Sequence, residues 1–304
     1  MLGDRGWITQ EWILSRRMIH YFVEGMVWVC KTAAENESGR SLIGVNFWKR
    51  STTWTDIVEE HSGRKLTYQA DKLISISGIA SEMQKSRQGD RYFDGLWEKD
   101  LPRCLLWKPL FLYVAERNNK LSHVPSWSWA SRICVVIFNI SKGQVGQGRP
   151  TSNLNDFCEI EKIEGRALGD TGPGRKPRLF IKCLLKSLKD VYIHAAWPEQ
   201  SDDDGLLGPY NPKRVEEETL FTRLGEEIGW VIFDDGIHCH DPDRQGAVYF
   251  LPVVRDAGEG LGWSEGLLVQ KSASTENEFE RVGVAQIKDV KWLKGLLWQT
   301  VCLY

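Results

Sequence analysis

His123-Val124-Pro125-Ser126-Trp127-Ser128-Trp129-Ala130-Ser131-Arg132-Ile133-Cys134-Val135-Val136-Ile137-Phe138 is the stretch on which the reading of the fold turns. Small and aromatic residues alternate in it. As an extended strand it sends Trp127 and Trp129 to one face, and Ser126, Ser128 and Ala130 to the other. Pro125 has no backbone N–H to donate and suits a strand's first position, and Val135-Val136-Ile137 continues the β-branched texture. Each indole can remove about 150–250 Å² from water, so the pair predicts a core nucleus.

Working outward toward the start, the texture is mostly helical. Residues 7, 8, 12, 13 and 14 are apolar at helix-like spacing, followed by strand-like Met18–Phe22 and Met26–Cys30. Residues 32–52 read as a polar connector. Apolar residues at 54, 57 and 58 predict a helical face, with Thr53 as N-cap and Gly63 as terminator. Leu66–Gln84 predicts the strongest helix: Leu73, Ile76, Ser77, Ala80 and Met83 form its stripe, Asp71 sits near its start, and Gly78 predicts a close helix contact. Leu96-Trp97 and Leu105-Leu106-Trp107 predict a further apolar helix or a pair of turns around Pro102.

Toward the C-terminus the texture changes to short strands: 157–165, 178–185, 229–233, 247–254, 266–269 and 278–287. In the last of these, Phe279, Arg281 and Gly283 alternate against Glu280, Val282 and Val284. Two polar loops interrupt the strands, at 139–155 and at 197–219, the second carrying Asp202-Asp203-Asp204. The expectation is an α+β fold: a helical N-terminal part followed by a β-rich C-terminal domain built as an antiparallel sheet, sandwich or barrel. Its divisions are 1–35, a helical connector at 36–121, and 122–304.

The net charge of −2 favours neither nucleic acid nor an anionic membrane as partner. The 14 tryptophans run from Trp7 to Trp298, which favours one packed chain over a compact module with tails. Seven cysteines, odd in number and never spaced Cys-x-x-Cys, argue against a disulfide framework or structural zinc and for reduced thiols. No secretory signal opens the chain and no apolar run is long enough to span a bilayer, so a cytoplasmic protein is expected.

Pro125-Ser126-Trp127-Ser128-Trp129-Ala130-Ser131 resembles the signature found downstream of the HET (heterokaryon incompatibility) domain in filamentous-fungal proteins. Arg5-Gly6-Trp7, Gln10-Glu11, Leu14-Ser15-Arg16-Arg17 and Cys30 resemble the closing part of the HET domain itself. Between these lies an ordered series that is similar to the family's usual run: Arg64–Thr67, Asp71-Lys72-Leu73, Ser77–Ala80, Asp90–Tyr92, Gly95-Leu96-Trp97 and Leu105–Trp107. After the signature, Gly229–Asp234, Val248–Pro252, Gly266–Val269 and Phe279–Val284 also resemble the family. There are departures. Trp12 stands where the family usually has Arg, Cys30 follows Val where Glu is common, and the earlier Ser-Tyr-x-Trp-Gly and Trp-x-Asp-x-x-Cys-Ile stretches are absent. The resemblance therefore implies a chain lacking most of its HET domain. It further implies a non-enzymatic signalling and interaction protein of fungal non-self recognition and programmed cell death, engaging protein partners and needing no cofactor. Its rivals are part of a TIR-like NAD-cleaving enzyme whose catalytic portion is missing, and an inert gene remnant. Partner identity and oligomeric state are not written in the motif.

Sites with catalytic or metal-binding spacing are few. His238-x-His240, with Asp234, Asp235 and Asp241 nearby, would place two imidazoles on one strand face as metal ligands, but Asp-Asp-Gly and Asp-Pro-Asp are equally turn-forming. Ser62-Gly63-Arg64-Lys65 fits a Ser-x-x-Lys pattern and fits a helix-ending turn better. Gly258, Gly260 and Gly262 lack the following helix of a nucleotide loop. Glu11 could act as an acid or base, or pair with Arg5, Arg16 or Arg17. No catalytic, cofactor or metal residue is assigned; the signature residues are expected to be structural.

Overall fold

The computed structural model describes residues 4–23, 25–30, 33–41, 53–113, 120–138, 154–165, 168, 177–194, 212–215, 217–235, 248–256, 262–272, 275 and 277–304. The chain forms two compact units, Met1–Gln88 and Gly89–Tyr304.

In the first unit, helix α1 (Ile8–Leu14) leads into strands β1 (Arg17–Phe22), β2 (Gly25–Cys30) and β3 (Ala34–Asn36), a three-stranded antiparallel sheet in the order β1-β2-β3. Helix α2 (Trp54–Ser62) begins at Thr53, whose hydroxyl accepts from the Asp56 N–H, and ends at Gly63. Both ends fall where the capping chemistry put them. The predicted helix at 66–84 is shorter: a 3-10 turn at Gln69–Asp71 precedes helix α3 (Ile74–Gln84). Gly6 holds this unit's start, its N–H donating to the Lys65 carbonyl at 2.7 Å. Gln10 of α1 accepts from the Gly78 N–H at 3.2 Å, and a Cβ at Gly78 would lie 2.8 Å from the Gln10 side chain, so the expected close approach is between α3 and α1.

The second unit opens with a hairpin, β4 (Tyr92–Phe93) and β5 (Leu96–Trp97), joined by Asp94 and Gly95 at φ +43° and +98°. Both positive values belong to a two-residue Asp-Gly hairpin turn, which Gly95 adopts freely and Asp tolerates. Two 3-10 turns, Glu98–Asp100 and Arg103–Leu106, flank Pro102, so the alternative of paired turns holds there and the apolar helix does not form. Strands β6 (Lys108–Tyr113) and β7 (Cys134–Ile137) follow, then β8 (Leu154–Asp156), β9 (Glu159–Glu164), β10 (Arg178–Cys183), β11 (Lys186–Ser187), β12 (Val191–His194), β13 (Pro212–Arg214), β14 (Glu218–Thr222), β15 (Glu227–Phe233), β16 (Val248–Asp256), β17 (Ser264–Lys271), β18 (Glu278–Ile287) and β19 (Gln299–Leu303).

Eleven of these strands form one sheet, along β11-β16-β17-β18-β15-β14-β12, with β19, β10 and β9 branching from β18 and β8 pairing with β16. All its pairings are antiparallel except β18 with β19. A separate sheet runs β13-β6-β7. Pro252 survives inside the long strand β16 because the ladder shifts register immediately after it, and a bulge relieves the missing donor. Leu220, Val231, Phe233, Val248, Phe250, Leu268, Ala285 and Ile287 meet on one side of this sheet as its core. Leu251, Leu267 and Val284, which alternation sends to the other side, are also fully buried. The central strands are therefore covered on both faces.

Three expectations are corrected. The α+β division with a helical N-terminal part does not occur: strands dominate, the described residues hold only three α-helices of 7, 9 and 11 residues, and a sheet lies within the first 36 residues. The reason is that the apolar spacing of residues 92–107 is met equally by an Asp-Gly hairpin and by 3-10 turns, and tertiary burial chose those. The Pro125–Ser131 stretch is not a strand either. It is a turn closing into a 3-10 helix at Trp129–Ser131, because its hydroxyls and amides bond locally. The Ser128 side chain accepts from the Ala130 N–H, and the Ser128 and Ser131 N–H groups donate to the carbonyls of Pro125 and Ser128. Third, the loop expected at 197–219 contains β13 and the start of β14, and the loop at 139–155 runs into β8; residues 139–153 and 195–211, with Asp202–Asp204, lie outside the described residues.

Candidate functional site: a buried knot at the tryptophan–serine turn

Trp127 and Trp129 are fully buried, which bears out their core placement although the backbone beneath them is not extended. The turn's donors and acceptors reach several different elements, although the Trp127 indole N–H is buried without a hydrogen-bond partner among the described residues. The Ser126 N–H and hydroxyl both donate to the carbonyl of Tyr304, the N–H at 3.0 Å. The same hydroxyl accepts from the Arg281 N–H of β18 at 3.1 Å. The Ser128 hydroxyl donates to the Asp94 carbonyl at 2.5 Å, and the Trp129 indole N–H to the Gly95 carbonyl at 2.9 Å. The Trp127 carbonyl accepts from the Trp107 indole at 3.0 Å, and the Ser131 hydroxyl donates to the Ser126 carbonyl at 3.3 Å.

Beside the turn sits a charge pair that sequence reasoning did not single out. Arg281 and Asp234 are both 0 % exposed. The Arg281 Nε and one Nη donate to the two Asp234 oxygens, each at 3.0 Å, which is the bidentate fork a guanidinium makes with a carboxylate. The remaining nitrogen chemistry goes to the backbone: Nη2 donates to the Trp107 carbonyl at 2.6 Å and Nη1 to the Leu105 carbonyl. The guanidinium carbon lies 3.4 Å from the centre of the Trp107 ring, a cation–π contact. Burial pulls the Arg281 pKa below its ordinary value, and the Asp234 charge opposes that pull. The signal was present in outline. The alternation that sets Arg281 in register with Phe279 and Gly283 puts a cation on a strand's inner face, and such a cation needs a partner. Which carboxylate supplies it is a matter of tertiary approach.

Chemically this knot is closed. Its serine hydroxyls and its guanidinium are engaged with the chain's own backbone and with Asp234, and it is sealed from water. It can clamp six segments: Asp94-Gly95, Leu105–Trp107, Ser126–Ser131, Asp234, Arg281 and Tyr304.

The other residues considered from sequence fall elsewhere. Arg5, Gly6, Trp7, Gln10, Glu11 and Asp71 belong to the first unit, whereas Gly95, Leu96, Trp97 and Pro125–Ser131 come together in the second. Glu11 is exposed on α1, and its expected pairing with Arg5, Arg16 or Arg17 is not formed. The Ser62 hydroxyl donates to the Glu59 carbonyl at 2.9 Å, a helix-end role. His238 and His240 lie outside the described residues, as do Gly258 and Gly260. Among the described residues no group of three or more His, Cys, Asp or Glu side chains is arranged to hold a metal ion. The six described cysteines are unbridged. No helix among the described residues is long and apolar enough to cross a membrane.

A second buried polar centre lies in the first unit. His61 of α2 faces the Thr9 hydroxyl through Nδ1 at 3.2 Å and the Ser75 hydroxyl through Nε2 at 3.0 Å. Burial, reinforced by the nearby Lys72 charge, pushes its pKa down to about 4. Because Ser75 also donates to the Lys72 carbonyl, the arrangement ties α1, α2 and the start of α3 together through a neutral imidazole.

No family model, no curated protein and no solved structure matches the chain.

Proposed function

We propose that the chain is a non-enzymatic signalling and interaction protein of the fungal heterokaryon-incompatibility kind, acting with protein partners in non-self recognition and programmed cell death. One observation carries this reading. The stretches that resemble the HET-associated pattern, from Gly95-Leu96-Trp97 through Leu105–Trp107 and Pro125–Ser131 to Asp234 and Arg281, are far apart in sequence yet bond to one another in a single buried knot. Motifs that belong to one framework are expected to meet in this way, which supports the reading. The engagement of the signature's hydroxyls with backbone carbonyls supports a structural role for the motif rather than a nucleophilic one.

Expression of the chain in a filamentous fungus, scored for growth arrest and cell death, tests the signalling reading. Death or arrest that depends on an intact Trp127–Trp129 turn supports it, and indifference to the protein in every background refutes it. Incubation of the purified chain with NAD is the second arm. The expected outcome is no turnover, and hydrolysis by these 304 residues would overturn the non-enzymatic assignment.

A further inference from the structure

The sheet β1–β3 packs one face partly against α1, with Phe22 on that side still 45 % exposed, and among the described residues leaves the other face open. On the covered side His20 meets Trp12 of α1 edge-on, with ring centroids 5.6 Å apart, and Val29 is buried. Strand alternation sends the intervening residues to the opposite side. There the register sets Ile19 beside Trp28 and Tyr21 beside Met26, four large apolar side chains in two adjoining rows. They are 55, 37, 75 and 40 % exposed respectively. The outward face of an antiparallel sheet ordinarily carries polar residues, and a contiguous apolar one marks a surface that becomes covered.

The two rims of this face are charged with opposite sign. Arg17 stands exposed at the start of β1, and Glu35 stands exposed on β3, directly beside Trp28. We infer that the face is the interface of a homodimer, its occupant being the same face of a second copy of this chain. A two-fold axis running along β2 between the stacked sheets sets Trp28 and Met26 against their own counterparts. It also lays β1 of each copy over β3 of the other, with Ile19 over Glu35 of the partner subunit. Arg17 lies two residues, about 7 Å, further along the strand, within reach of that carboxylate for a long side chain, and the operation makes this approach twice. A face with opposite charges on opposite rims is self-complementary under that operation, as an isologous interface requires. Three short strands offer less than the roughly 800 Å² per partner of a standard interface, so the dimer is weak and concentration-dependent. The inference stands apart from the signalling reading and uses none of the signature at Pro125–Ser131.

Sedimentation velocity of the full chain, from low to high micromolar concentration, reads the association directly. The wild-type sedimentation coefficient is expected to rise with concentration, and Tyr21→Glu, at the most exposed of the four positions, to abolish that rise with the far-UV circular dichroism unchanged. Arg17→Glu alone is expected to weaken association about 5- to 30-fold through two like-charge contacts, and Arg17→Glu combined with Glu35→Arg to restore it. A wild-type chain that stays monomeric throughout overturns the dimer and leaves the face to a different protein. So does a dimer indifferent to Tyr21→Glu, or a charge swap that fails to restore association.

Discussion

Trp129 shows how much one side chain can hold. Its ring is fully buried and its N–H closes a bond to Gly95 across 34 residues of sequence. Trp129→Ala removes both, and the expected loss of stability is about 3–5 kcal/mol, as for other large buried aromatics; urea denaturation of the variant against wild type measures it, and an unchanged midpoint would contradict the core placement. Arg281 makes the opposite kind of case. Removing the cation alone, as Arg281→Met, strands Asp234 at 0 % exposure, and the expected cost is about 3–5 kcal/mol. Replacing both, as Arg281→Met with Asp234→Leu, should recover part of that loss, because the buried carboxylate goes with its partner. Recovery in the double variant, read by the same denaturation curves, separates the charge effect from lost packing.

At the scale of elements, the three helices of the first unit meet at His61, and pH reaches them through it. The imidazole titrates near 6.5 in the unfolded chain and is pushed down to about 4 in the folded one, so the folded state excludes a proton that the unfolded state takes up. Its contribution is fully present above about pH 6.5 and is lost as pH falls from there toward 4. The slope is about 1.4 kcal/mol per pH unit, some 3 kcal/mol in total. Stability of wild type and His61→Gln measured at pH 7 and pH 5 should show the steeper acid loss in wild type; parallel curves would place the imidazole in contact with solvent. Strand-level legibility also has a physical limit. The spacing of residues 178–185, 247–254 and 278–287 reads as strand, and strands form at Arg178–Cys183, Val248–Asp256 and Glu278–Ile287, because apolar runs of that length fit a pleated surface buried on either side. The short apolar runs at 96–97 and 105–107 give periodicity too few residues to decide anything, and their conformation comes from Asp94-Gly95 and from what they pack against.

For the molecule as a whole, the second unit is closed by its own end. Strand β19 runs between β10 and β18, and Tyr304 accepts from Ser126 while its N–H donates to Phe279 at 3.3 Å. Deleting residues 299–304 would open the edges of β10 and β18 and remove the acceptor under the tryptophan–serine turn. The expected outcome is a chain recovered only as aggregate, or one without a cooperative thermal transition. A truncated chain that melts like wild type would show the end to be dispensable. A far-UV circular dichroism spectrum dominated by strand, with little helical signal, is expected for the full chain, since β-structure dominates both its larger unit and the start of its smaller one.

Sequence by itself determined what local chemistry dictates. The Thr53 cap and Gly63 stop of α2, the strands of residues 17–30, the burial of Trp127 and Trp129, and the approach at Gly78 follow from side-chain volume, hydrogen-bonding groups and spacing within a few residues. The Pro125–Ser131 turn is also set by local bonds, which residue alternation does not report, whereas tertiary structure alone decided that Arg281 takes Asp234 as its partner and that Tyr304 ends up bonded to Ser126. Each of these two pairings depends on groups separated by tens to hundreds of residues. A serine hydroxyl or a guanidinium bonds whichever acceptor the folded chain delivers, and nothing in the neighbouring residues says which acceptor that is.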